Sequence, residues 1–262
     1  MAESLNDMVI WVVGATGGIG TQLVRAAAAG GARLVLSGGP LEQLRAIAGK
    51  DGHPVPLDLT DHDALAPVVE AAHAVFGRID LLVLNAGISQ RAAAAETEYR
   101  ILKRIIDIDF LAQAEIARRT AAGMVQRGSG AILVVSSLAG LVATPLRSGY
   151  CAAKHAIHGY YNALRAELAG SGVSVTIGVP GFVRTDISRN AVTANGGAYG
   201  RMDPNQSGGS EPAAVAQRLL AAALAGRREI RMAMGVKGRL ALALSACLPG
   251  VYAWIIARAR VT

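Results

Sequence analysis

The sequence predicts an α/β fold, a single doubly wound parallel sheet of about seven strands flanked by helices. Three observations predict it. Short β-rich runs alternate along the chain with longer alanine-rich segments whose apolar residues recur at helical spacing. Most of the β-rich runs are continuously apolar, as parallel strands buried on both faces should be. The 262 residues, 52% of them hydrophobic, suffice for one large core, and neither a linker nor an internal repeat divides the chain, so 1–262 reads as one domain.

The first strand is "MVIWVV" (8–13). The residues before it are acidic and polar and lack the basic stretch of a signal peptide, so the apolar run is read as structure. "IGTQLVRAAAAGG" follows as a helix, then "RLVLS" (33–37), the helical "PLEQLRAIAG" and a strand at "PVPL" (54–57). The helical "DALAPVVEAAHAVFG" leads to the strand "DLLVLN" (80–85), and the long helix "EYRILKRIIDIDFLAQAEIARRTAAGMVQ" leads to "AILVVS" (131–136). A helix over 148–168, the strand "VSVTIGV" (173–179) and a last strand at "REIRMA" (228–233) complete the alternation.

Two regions break the pattern. Residues 188–210, rich in Gly, Asn and Ser, are expected to form a mobile lid over a substrate site. The tail, 238–262, is apolar between basic ends and approaches spanning length, but Pro249-Gly250 interrupts it. Three placements stay open for it: a helix packed in a homodimer or homotetramer, which is preferred, a flap on the substrate site, or an interfacial membrane helix with Arg239, Arg258 and Arg260 near lipid phosphates.

The formal charge is +7, but the basic residues are scattered, so a phosphate-bearing cofactor is a more economical anion than nucleic acid. Aromatics at 4% argue against stacking platforms, and no nucleic-acid partner is expected. Cys151 and Cys247 lack metal-ligand spacing and are read as small buried thiols in a reducing, cytoplasmic compartment, with membrane association left to the tail. His155 and His158 share a helix but no further ligand is evident, so no metal is expected.

Immediately after the first strand stands "GATGGIG", with Gly14, Gly18 and Gly20. Glycines between a strand and a helix allow a tight turn, close approach of backbone to a pyrophosphate, and close helix–sheet packing; the helix N-terminus supplies unpaired N–H groups. The spacing is not the usual dinucleotide pattern, and a plain glycine-rich turn is the alternative. Further on, "SGYCAAKHAIHG" sets Tyr150 and Lys154 one helical turn apart. A carbonyl–alcohol interconversion needs an acid/base beside the substrate oxygen, and a phenol of pKa ~10 becomes a better one when a neighbouring ammonium favours its phenolate. Ser137 lies just past the strand "AILVVS", at the edge of the sheet where ligands bind.

"GATGGIG", "LNAG" (84–87), Ser137, the Tyr150/Lys154 pair and "PGFVRT" (180–185) stand in the order found in short-chain dehydrogenases/reductases, which this sequence resembles over nearly its whole length, with some likeness to a membrane-associated reductase branch. The resemblance implies a Rossmann-type NAD(P)-dependent oxidoreductase with Tyr150 as acid/base, assisted by Ser137 and by Lys154, which would also hold the nicotinamide ribose. It places Asp109 where the family usually has an asparagine of a proton relay; aspartate keeps an acceptor, loses a donor and adds a charge near Lys154. Cofactor contacts are implied for Gly14, Thr16, Gly18, Ile19 and Gly20, for Asp58 and Leu59 near the adenine, for Asn85, Ala86 and Gly87, and for Pro180, Gly181, Val183 and Thr185 near the nicotinamide. Asp58 and Thr185 read equally as helix caps, and Asn85 as a structural residue.

The second strand ends in Ser37, Gly38, Gly39 and Pro40, with neither the acid that accepts from NAD ribose nor an arginine for a 2′-phosphate. With Ser37 and Thr16 as donors, NADP(H) is favoured over NAD(H). The apolar "GLVATPL" (140–146) suggests a small hydrophobic carbonyl or alcohol substrate. A dinucleotide-sensing protein without turnover, or an epimerase or dehydratase on the same fold, are the rival readings.

Overall fold

The computed structural model describes residues 5–49, 52–232 and 235–258. Its strands are β1 (Val9–Val13), β2 (Arg33–Ser37), β3 (Gly52–Pro54), β4 (Leu81–Leu84), β5 (Gly130–Val135), β6 (Val173–Pro180) and β7 (Glu229–Met232). They form one seven-stranded sheet in the order β3-β2-β1-β4-β5-β6-β7, every pairing parallel. The helices are α1 (Gly18–Ala29), α2 (Leu41–Ala48), α3 (Leu65–Phe76), α4 (Tyr99–Ile106), α5 (Ala112–Arg127), α6 (Ser148–Glu167), α7 (Pro204–Ser207), α8 (Pro212–Leu224), α9 (Gly235–Cys247) and α10 (Pro249–Ile256).

The period of two along β1 explains the two layers of helices. Val9, Trp11 and Val13 point into one core, with Val69 and Ala72 of α3, Ile116 and Ala117 of α5, and Ile157 and Tyr161 of α6. Ile10 and Val12 point into the other, with Leu23 and Val24 of α1, Leu44 of α2, and Leu219 and Leu220 of α8. Strands buried on both sides must read as continuous apolar runs, which is why the sequence pattern found them. The order of connection reverses between β1 and β4, so the crevice beyond their carboxyl ends is where a ligand fits.

The structure departs from the sequence expectation at three places, and its tail breaks where Pro249-Gly250 was expected to interrupt it. β3 is short and lies two residues earlier than "PVPL". Val55 N–H donates to the Leu36 carbonyl at 2.8 Å, so the missing N–H groups of Pro54 and Pro56, one residue to either side, both fall on the open side of this edge strand. The long helix is interrupted by a π turn, Asp107–Leu111, between α4 and α5. The tail is two helices broken at Pro249, and Ala233 and Arg260 lie outside the described residues. Cys151 is buried, but Cys247 is exposed on α9, not buried, because that helix packs few of its side chains.

Residues 188–210 fold back on the body. Val192 bridges to Gln90, and Ser188, Asp203 and Gln206 are buried.

Ser37 is fully buried at the end of β2. Its hydroxyl accepts from Trp11 Nε1 at 3.0 Å and donates to the Val55 carbonyl at 2.8 Å. Both bonds lie inside the protein, so removing the hydroxyl leaves two buried polar groups without partners. Ser37→Ala is expected to lose ~1–3 kcal/mol of stability in urea unfolding; an unchanged midpoint would show that the hydroxyl carries no structural weight.

Candidate active site

The carboxyl ends of β1, β4, β5 and β6 open into a cleft of about 590 Å³. At one end lies the N-terminus of α1. Its N-cap, Gly17, makes no side-chain capping bond, and the first turn holds no acid. The first intrahelical bond in that turn is Thr21 N–H to the Gly17 carbonyl, so the N–H groups of Gly18, Ile19 and Gly20 precede the ladder. Gly17, Gly18 and Ile19 line the cleft, so a helix end of positive polarity faces it, as an anionic phosphate requires. The glycines keep this approach open: a Cβ on Gly14, where φ is +83°, would lie 2.5 Å from Ala86 N, and one on Gly18 would lie 2.6 Å from the Thr185 side chain. These residues fit a dinucleotide pyrophosphate.

At the centre, β5 delivers Ser137 and the first turn of α6 delivers Tyr150, with Lys154 one turn further; all three line the cleft. Ser137 opens the short 3-10 turn Leu138–Gly140, its hydroxyl accepting from Ala139 N–H at 3.2 Å. Its neighbour Ser136 points the other way, with Oγ at 3.3 Å from the Lys154 carbonyl and 3.1 Å from His158 Nε2. His158 Nδ1 faces Glu229 at 3.6 Å, and among the described residues no three His, Cys, Asp or Glu side chains cluster as metal ligands.

The Lys154 side chain is 4% exposed. Its Nζ donates to the Val135 carbonyl at 3.2 Å and lies 3.4 Å from Asp109 Oδ2. Asp109 sits in the π turn with its other oxygen accepting from Ile88 N–H at 2.8 Å. Gly87 makes the encounter possible, since a Cβ there would stand 2.9 Å from Asp109 Oδ2 and 3.2 Å from Lys154 Nζ. Burial raises the Asp109 carboxyl to about 6, against the pull of Lys154 and of the Ile88 bond. The Tyr150 phenol is also raised from its ordinary value: burial is the largest cause, Asp109 adds to it, and Lys154 and Ser137 oppose it. Lys154 thus acts in the expected direction, but burial and the carboxylate outweigh it.

Of the other residues singled out in the sequence, Thr16, Gly18, Ile19, Asn85, Ala86, Gly87, Pro180, Gly181, Val183 and Thr185 all line the same cleft. Asn85 also donates to the Gly14 carbonyl at 3.0 Å, so it braces the glycine turn as well. Gly14 and Gly20 act through packing, a Cβ on Gly20 falling 2.0 Å from the Gly14 carbonyl oxygen. Ser37 and Leu59 are not brought to the cleft; both are buried in the core. Asp58 is exposed and holds its own turn, with Oδ1 accepting from Thr60 N–H at 2.8 Å and from its hydroxyl at 2.7 Å. Two cleft residues carry no local sequence signal, Arg91 and Arg147. Only the position of Arg147, three residues before Tyr150, hints at a role.

The carboxyl of Asp109 has a definite consequence for stability. Because its folded value lies near 6 and its ordinary value is 3.8, the folded chain holds a proton that the unfolded chain has released between those limits. That contribution is full below about pH 4 and is lost as pH rises through about 6, a change on the order of 2–3 kcal/mol. Against Asp109→Asn, the wild type should therefore be relatively more stable at pH 4 than at pH 7, measured by denaturant unfolding at both. A pH-independent difference would place the carboxyl at its ordinary value.

The sequence profile described as short chain dehydrogenase matches residues 8–196. Dehydrogenase/reductase SDR family member 7B of Bos taurus is 34% identical over 273 residues, covering 99% of this chain and 84% of that protein. The Rattus norvegicus protein of the same name is 36% identical over 225 residues, covering 81% and 69%. A crystal structure of a short-chain dehydrogenase from Streptomyces avermitilis superposes with a TM-score of 0.80 at 26% identity, over 95% of this chain and 96% of that one. Proteins of this family use NAD(P)(H) and act on small molecules. The chain belongs to the short-chain dehydrogenase/reductase family and is an NAD(P)-dependent oxidoreductase.

Proposed function

We propose that this chain reduces a ketone to a secondary alcohol, with Tyr150 giving the proton, Ser137 holding the carbonyl oxygen and Lys154 compensating the phenolate that results. The observation that carries the reading is the convergence of these three side chains in one cleft with the uncapped N-terminus of α1. Bound in that cleft, the nicotinamide cofactor supplies or accepts hydride. Raised by burial and Asp109, the phenol is protonated at neutral pH, the form that gives a proton in the reductive direction. Ser137 Oγ, on a strand end fixed by β5, supports the substrate oxygen without needing to move.

NADP(H) is the proposed cofactor. No carboxylate stands at the end of β2, where Gly38 and Gly39 both have positive φ and Thr16 Oγ1 donates to the Gly38 carbonyl at 3.3 Å. Nothing there repels a 2′-phosphate. NADPH should accordingly show a lower KM than NADH with the same ketone. Tyr150→Phe should lower kcat by at least ~1000-fold while leaving cofactor affinity nearly unchanged, and Asp109→Asn should stay within about tenfold of wild type, ~1.4 kcal/mol of barrier. Turnover undiminished by Tyr150→Phe refutes the assignment; cofactor binding without turnover on any ketone favours a sensor.

For the tail we propose packing against a second copy of the chain. Val236 and Trp254 are 84% and 61% exposed, and Leu240, Leu248 and Val251 are exposed with them, a cluster of large apolar side chains of the kind that marks an interaction surface. No helix among the described residues is long and apolar enough to cross a membrane. A full-length homodimer or homotetramer that dissociates when residues 238–262 are removed is expected in analytical ultracentrifugation. Co-sedimentation of the full chain with anionic vesicles, and its loss on truncation, would instead assign the tail to a membrane surface.

A further inference from the structure

The end of the cleft beyond Tyr150 holds a charge imbalance. Arg91 and Arg147 both line it, and both depend on one carboxylate. Arg147 Nη2 donates to Asp203 Oδ2 at 2.7 Å, and Arg91 Nη2 donates to the same oxygen at 3.3 Å. The other oxygen of Asp203 is occupied at the start of α7, accepting from Asn205 N–H at 2.9 Å and from its side chain at 3.1 Å. Arg91 finds further acceptors in Ser89 Oγ at 3.1 Å and the Gln90 carbonyl at 2.8 Å, both neutral. Among the described residues no second carboxylate pairs with either guanidinium: Asp109 is engaged by Lys154, and Asp186 lies against Arg189.

Two nearly buried guanidinium groups therefore share one negative charge. The Arg91 side chain is 3% exposed and that of Arg147 is 12% exposed. Neither makes the two-pronged contact that suits its shape, and Nε of each has no acceptor, as is also true of Thr144 Oγ1 on the same cleft wall. A buried charge without a full partner is costly, so the arrangement suits a ligand that brings the second anion. The two arginines are also fastened side by side. Ala92 N–H donates to the Leu146 carbonyl at 3.0 Å, and Gly149 N–H donates to the buried Gln90 Oε1 at 2.8 Å. Leu146 is held at φ +63°, a strained conformation for a branched residue, immediately before Arg147.

We propose that Arg91 and Arg147 form an anion subsite holding a carboxylate or phosphate of the substrate, so that the ketone reduced at Tyr150 carries a negative group on one arm. The assignment rests on the ketone-reductase reading above and narrows it, replacing a purely hydrophobic substrate with an amphipathic one that has its apolar part along Val142 and Ile187.

Matched pairs of ketones test it: levulinate against methyl levulinate, and acetoin phosphate against acetoin dimethyl phosphate, each with NADPH. For the preferred anion the wild type should show a KM at least ~30-fold below that of its neutral ester, the size of a charge-assisted hydrogen-bonded contact. Which anion is preferred identifies carboxylate or phosphate as the group. The preference should shrink to within about threefold in Arg147→Met and survive in part in Arg147→Lys. Equal KM values for anions and esters in the wild type would overturn the subsite and leave the two arginines as a tie between the 188–210 segment and α6. Calorimetric binding of the same compounds to the NADPH-saturated wild type separates this from the reductase reading. Anion binding without turnover keeps the subsite and sinks the reaction; turnover of esters with no anion affinity does the reverse.

Discussion

The buried pairing of Lys154 with Asp109 is the constraint around which the site is arranged. An ammonium that is 4% exposed needs a counter-charge, and the Val135 carbonyl alone does not supply one. The carboxylate arrives from a different element, and reaching it requires two local irregularities. A π turn shifts the register between α4 and α5 at Asp109, and a glycine at 87 removes the Cβ that would separate the partners. Ile88 N–H then fixes the carboxylate from the far side at 2.8 Å. Loss of any one of these leaves a charge stranded in the interior.

That pairing also sets the chemistry of Tyr150. With a neutral amide in place of Asp109, the lysine would act on the phenol as an uncompensated positive charge. With the carboxylate present, part of that field is cancelled and burial prevails, so the phenol is held above its ordinary value. The Asp109 carboxyl itself sits near 6, close enough to neutrality that its charge, and with it the setting of Tyr150, depends on pH in a range where the protein is folded.

Much of the fold was legible because its strands are buried on both faces, and that burial writes itself into the chain as unbroken apolar runs. β1, β2, β4, β5 and β6 were found to within one or two residues for that reason. β3 was misplaced because it is a partly exposed edge strand of three residues, Gly52–Pro54, with no apolar run to mark it. The π turn was not foreseen, since the apolar Ile108, Phe110 and Leu111 run on from the apolar residues of α4 without a Gly or Pro to mark a break. That Ser137, Tyr150 and Lys154 line one cleft was legible because a strand end and a helix face impose fixed spacings. Ser37 misled: a hydroxyl at a ligand-binding strand end looks the same in sequence whether it faces the cleft or, as here, bonds to Trp11 and Val55 behind it. Arg91 and Arg147 were illegible because their shared partner, Asp203, lies 112 residues from one and 56 from the other.

One stretch, from Ser137 to Arg147, links the parts that sequence separates. Ser137 caps its first turn, Val142 and Thr144 face the cleft, and Arg147 ends it in contact with Asp203 of the 188–210 segment. Between Val142 and Thr144, the Ala143 carbonyl accepts from the Tyr252 hydroxyl of α10 at 2.7 Å. The tail is thus tied to the wall of the cleft by a residue whose neighbours on both sides line it. The Tyr252–Ala143 bond is the contact that joins α10 to this wall of the cleft. Lys154 stands apart from that stretch, held by the Val135 carbonyl at the end of β5 and by Asp109 of the π turn.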